Sequence, residues 1–166
     1  MFWFQKQLTI ENAADALAFM VDQMATDYLK QSPWAKDVCN DPRVSTELRY
    51  LTMFYVDGFF KSLNGEHAWT QGRDKLLKQL YIKCSEQNNP AHPVTAMFTF
   101  MSRLNAYNNA IRSAKSAGEG SVLAAKEFAR FCFMDGNEGL SLLGSAVLPI
   151  MLRHLGPFVF EHRLVV

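Results

Sequence analysis

Apolar side chains recur at intervals of three and four along most of the chain, and each such run predicts a helix with one buried face. The stretch TIENAADALAFMVDQMATDYLKQSP sets Ile10, Ala13, Ala14, Leu17, Met20, Val21, Met24 and Tyr28 at that spacing. Thr9 is a suitable N-cap, and Pro33 closes the run because a proline pushes the residue before it out of helical geometry. A second helix is expected over residues 42–63, with Pro42 in the first turn, where its missing N–H costs nothing, and Asn64-Gly65 as the stop. A third, over residues 70–87, buries Leu76, Leu77, Leu80 and Cys84 and ends before NNPAHP. The fourth starts near Pro93 and carries Met97, Phe100, Met101, Leu104, Tyr107 and Ile111 until SAGEGS breaks it. The fifth covers residues 121–134 and ends at Asp135-Gly136. The sixth is NEGLSLLGSAVLPIMLRHLGP, with a kink expected at Pro149.

Six helical segments joined by short turns leave no room for alternating strands and helices. The fold class is therefore all-α, a single compact bundle of about six helices spanning residues 1–166. Only MFWF and FVFEHRLVV have strand-like composition, and they are expected to form short extended arms that pack on the bundle or on a partner. No internal repeat, low-complexity segment or linker divides the chain.

Composition narrows the possibilities further. With 166 residues, 49% hydrophobic and 20% charged, the chain has globular composition. The net charge is +1 and neither half carries a basic excess, which argues against nucleic acid, whose non-specific binding rests on phosphate neutralisation. Cys39, Cys84 and Cys132 are widely spaced and odd in number, a usage that fits a reduced, cytoplasmic setting. The opening MFWFQKQ has no basic segment ahead of an apolar core, so no secretory signal is expected. The charge-free stretch 139–152 falls short of the roughly 20 residues that cross a bilayer and reads as a buried helix.

Two clusters are candidates for function. In YLTMFYVDGFF, Asp57 lies in an otherwise apolar run, with Leu48, Tyr55, Val56, Phe59 and Leu63 on one helical face and Tyr50, Met53, Phe54, Phe60 and Lys61 on the other. A helix apolar on both sides is central in a bundle or lies at an interface. Asp57 is read mainly as a structural carboxylate paired with Lys61, four positions on, or with a base of another helix. An interface is accordingly assigned to Tyr50, Met53, Phe54, Asp57 and Phe60, together with Phe2, Trp3, Phe158 and Phe160 from the arms. In RLNAYNNAIR, the residues Arg103, Asn105, Tyr107, Asn108 and Arg112 are read as the ligand-binding candidates, flanked by Phe98 and Met101, on the premise that amides near a core face need partners.

Other chemistries lack their residues. No glutamate is followed by histidine at Glu-x-x-His spacing, and H-E-x-x-H is missing, so neither ready-made helical metal site is present. There is no phosphate loop or dinucleotide fingerprint and so no expected cofactor, and GLSLL departs from the nucleophile-elbow pattern at its last position. GEGS at 118–121 is read as an interhelical turn rather than an anion site. Glu11, Asp15 and Asp22 form an outer acidic strip on the first helix, whereas Arg73, Lys75, Lys78 and Lys83 make the third basic. His67, His92, His154 and His162 are scattered, and Cys84 with His92 is a poor nucleophile pair. The function expected from these readings is non-enzymatic: a protein acting through protein–protein contacts, as an adaptor, regulator or inhibitor, and associating with itself as a homodimer. The alternative is a small-molecule binder or an enzyme with a pocket on the Asn105, Asn108 and Arg112 face.

Overall fold

The computed structural model describes residues 6–23, 33, 35–88, 93–132 and 138–165. Among these the order of elements is β1 (Lys6–Thr9), α1 (Ile10–Gln23), α2 (Lys36–Cys39), α3 (Pro42–Asn88), α4 (Pro93–Ser113), α5 (Ala117–Phe131), α6 (Glu138–Glu161) and β2 (His162–Val165). The architecture is an all-α bundle, as the periodicity implies. The only pairing of strands among the described residues joins the two ends in parallel, Lys6 opposite His162 through Thr9 opposite Val165. Parallel pairing needs a long crossover, and here the whole bundle supplies it. MFWF lies outside the described residues; of the C-terminal arm only His162–Val165 is a strand, and Phe158, assigned to that arm, is instead helical and half-buried against the core. Helical backbone in α6 runs past both Pro149 and Pro157.

Capping explains several boundaries. Thr9 Oγ1 accepts the Asn12 N–H at 3.3 Å, as expected of an N-cap. Asp41 caps α3: its Oδ1 accepts the Arg43 N–H at 2.8 Å, its carbonyl accepts the Ser45 N–H at 2.9 Å, and Pro42 takes the first helical position. The Arg43 guanidinium and N–H hold the Asp41 carboxyl below the usual carboxylate range. α5 starts four residues earlier than its hydrophobic pattern indicates. Ser116 Oγ accepts the Glu119 N–H at 3.2 Å while Glu119 Oε2 accepts the Lys115 N–H at 2.6 Å, a reciprocal cap that turns GEGS from a loop into a first helical turn.

The largest difference from the sequence reading is α3. Helical backbone runs through Asn64-Gly65, so the helices expected over 42–63 and 70–87 are one element. Its axis nevertheless doubles back. Trp69 Nε1 donates to Asp57 Oδ1 at 3.0 Å across 12 positions, which a straight helix would separate by roughly 18 Å at about 1.5 Å per residue. Tyr50 and Tyr81, roughly 46 Å apart on a straight axis, both bring their rings to about 6 Å from Phe100 (5.9 and 6.0 Å). All these pairs are centred near residues 63–65, so the chain turns where Asn-Gly falls without ending its helix.

That reversal builds the core. α1 packs on α3, α3 on α4, α4 on α5 and α5 on α6. Leu48, Leu51, Leu76, Leu80, Phe100, Leu104, Tyr107, Phe128, Leu140 and Leu143 are fully buried where these elements meet. At the α5–α6 crossing, a Cβ on Gly144 would lie 2.9 Å from Phe128 Cδ1 and 3.1 Å from Ala125 Cα, so only glycine lets the helices approach this closely.

Candidate functional site

Three groups of polar residues could do chemistry or recognition. The first is the Asp57 group. Burial of the 51–57 stretch is complete, so Asp57 sits inside the α3 fold-back. It accepts the Trp69 indole N–H, and Arg73 Nε lies 3.4 Å from its carboxylate. Lys61 stands over the Trp69 ring at 4.5 Å, and Arg73 at 5.0 Å. Trp69 is thus held through its edge by a carboxylate and through its ring by two cations, a clasp between the arms of α3. Arg73, a cationic partner of Asp57, lies 16 positions away in the second arm of the same helix.

The same fold-back decides the fate of the interface residues read from the sequence. Met53, Phe54, Asp57 and Phe60 are buried within the single chain, and Tyr50 is half-buried beside Phe100. Of these, only Tyr50 keeps part of its side chain exposed. Phe2, Trp3 and the side chain of Phe160 lie outside the described residues.

The second group joins α3, α4 and α5. Arg103 forks onto buried Glu47, with Nε 2.8 and 3.0 Å from the two carboxylate oxygens and Nη2 2.8 Å from Oε1. Its guanidinium lies over the Phe131 ring at 3.7 Å. Tyr107, one helical turn on, is fully buried between Phe54 and Phe131. Burial pushes its phenol well above the ordinary value, and the Glu47 charge adds to the effect. Burial likewise pushes the Tyr55 phenol and the Cys132 thiol up to about 12, Cys132 with a further contribution from Glu47. These three groups therefore stay protonated at neutral pH and supply neither a thiolate nucleophile nor a phenolate base. Arg103 and Tyr107 are core residues here, with Arg103 committed to a carboxylate.

The third group is what remains of the candidate ligand set, and it faces the other way. Asn105 and Arg112 are exposed and Asn108 is half-buried. Phe98 and Met101 share their side of α4 and are 72% and 36% exposed, Phe98 being among the most exposed large apolar residues of the chain. The structure corrects the premise that these amides border the core: Phe100, Leu104 and Tyr107 take the inner face, and Asn105 and Arg112 stand exposed on the outer one. Positions 98, 101, 105, 108 and 112 alternate steps of three and four, so they form one stripe, apolar at its start and polar, then cationic, at its end.

A groove of about 750 Å³ lies elsewhere, between α5 and α6, lined among others by Val122, Lys126, Glu138 and Leu142. Among the described residues no group of three or more His, Cys, Asp or Glu is placed to hold a metal ion, and no helix is long and apolar enough to cross a membrane. No protein-family profile matches the chain, and no curated protein and no solved structure is significantly similar to it.

Proposed function

We propose that this is a non-enzymatic helical protein that works through protein contacts, with the solvent face of α4 as the seam for one helix of a partner protein. The observation that carries this reading is the exposed stripe Phe98, Met101, Asn105, Asn108 and Arg112. Alternating steps of three and four are the spacing at which one helix meets another, and an exposed Phe and Met on a solvent face mark contact surface. The partner's chemistry follows from the order along the stripe. Its helix carries aliphatic or aromatic side chains over Phe98 and Met101, an amide or hydroxyl near Asn105 and Asn108, and a carboxylate where it meets Arg112. A pocket on the same residues, the alternative reading of the sequence, would need Phe98 and Met101 to face inward, and they are exposed. A reducing, cytoplasmic compartment suits the buried thiols of Cys39 and Cys132.

The test uses two designed amphipathic helical peptides with identical apolar faces, one ending in Glu and the other in Lys at the position opposite Arg112. Titrated into isotope-labelled protein, the Glu peptide is expected to shift backbone resonances of residues 98–112, and the Lys peptide to bind about tenfold more weakly. Phe98→Glu, at an exposed site, is expected to keep the fold and abolish the shifts. Equal binding of the two peptides, or shifts centred away from α4, would refute the assignment.

A further inference from the structure

We infer that the groove between α5 and α6 is occupied by the same groove of a second copy of this chain, related by a two-fold axis. This surface is separate from the α4 stripe and does not depend on it. Each wall of the groove is a helical stripe: Val122, Lys126 and Arg130 on α5, with spacing four and four, and Glu138 and Leu142 on α6, again four apart. Both walls expose an aliphatic side chain, Val122 at 46% and Leu142 at 64%. An apolar strip shared by two adjacent helices is the surface a further helix pair covers when two hairpins join into four helices.

Charge selects the occupant. Arg130 is already bound to Glu127, its Nη2 2.6 Å from Oε2. Among the described residues this leaves Lys126 as the exposed cation of the α5 wall and Glu138 as the exposed anion of the α6 wall. A strongly acidic or strongly basic partner would satisfy one and oppose the other. A two-fold arrangement that lays α5 of one copy along α6 of the other satisfies both, because it presents Lys126 to Glu138 of the second copy and repeats the contact on the other side of the axis. Val122 and Leu142 then cover one another at the centre. The groove is thus complementary to itself in charge and in apolar content.

Molar mass by light scattering over a concentration series, with sedimentation equilibrium for the dissociation constant, tests this on the full chain. The wild type is expected to form a dimer. Lys126→Glu and Glu138→Lys should each raise the dissociation constant about tenfold, and the double swap Lys126→Glu/Glu138→Lys should restore it. Leu142→Glu should raise it about a hundredfold, and circular dichroism is expected to show every variant folded, since all three side chains are exposed. A wild type that stays monomeric would overturn the inference. So would a dimer that ignores Leu142→Glu or whose charge-swapped form remains weak, since either places the contact elsewhere. Peptide binding at α4 is read separately, so the two assignments fail independently.

Discussion

Glu47 and Arg103 show how much a single pair decides. A carboxylate buried on α3 is tolerable only because the guanidinium satisfies both of its oxygens and itself rests on the Phe131 ring. Removing one partner leaves the other as an unpaired charge in the core, whereas removing both leaves apolar side chains among apolar neighbours. Arg103→Leu should therefore cost about 3 kcal/mol, and Glu47→Leu/Arg103→Leu less than either single change. Urea unfolding of the three variants provides the check, and single costs that simply add would show the pair to be uncoupled. The sequence contains no sign of this contact. Its members lie 56 positions apart, and only the fold-back of α3 brings them together, so Arg103 reads equally well as a ligand-binding residue. Asn105, Asn108 and Arg112 show a different limit: periodicity groups them on one face but cannot say which face is inside when both carry aromatic residues.

At the scale of elements, the helices were legible because local signals agree: spacing, Thr9 as a cap, and the turn at Asn64-Gly65. Two boundaries were misread for physical reasons. Asn-Gly interrupts helix propensity, yet the Asp57–Trp69–Arg73 clasp and the shared packing on Phe100 hold the two arms together across it. SAGEGS looks like a break because its glycines are conspicuous, but the cap belongs to Ser116 and Glu119, a Ser-x-x-Glu signal available in the sequence. The glycines themselves separate packing from propensity. Gly58 is exposed in α3 and a Cβ there meets nothing within 4 Å, so Gly58→Ala should stabilise by about 0.5–1 kcal/mol. Gly144→Ala gains the same propensity but drives a methyl into Phe128 and the Ala125 backbone, and should be destabilising by about 1–2 kcal/mol. Opposite shifts of melting temperature are expected, and a stabilising Gly144→Ala would mean that α5 and α6 do not approach this closely.

The whole molecule carries its protonation balance as a property of the core. Tyr55 and Tyr107 place two phenols, and Cys132 a thiol, in an interior that disfavours their anions, with the Glu47 charge acting in the same direction on Tyr107 and Cys132. In the unfolded chain the thiol ionises near its ordinary 9.0 and the phenols near 10.0, whereas in the folded chain Tyr55 and Cys132 hold their protons to about 12. Below pH 9 both states are protonated and the stability is fully present. Above it the unfolded state binds fewer protons than the folded one, so stability falls with rising pH through that window, beginning with the thiol and steepening once the phenols join. Denaturant midpoints should therefore be flat up to about pH 9 and drop toward pH 12. Cys132→Ala should delay the onset by about one pH unit, and Tyr107→Phe should make the later fall shallower. Each variant differs from the wild type at one buried group, so the comparison between them isolates those groups. A fall that none of these substitutions alters would mean that the thiol and phenols ionise in the native protein as they do in water, and that the polar cluster around Glu47 is open to solvent.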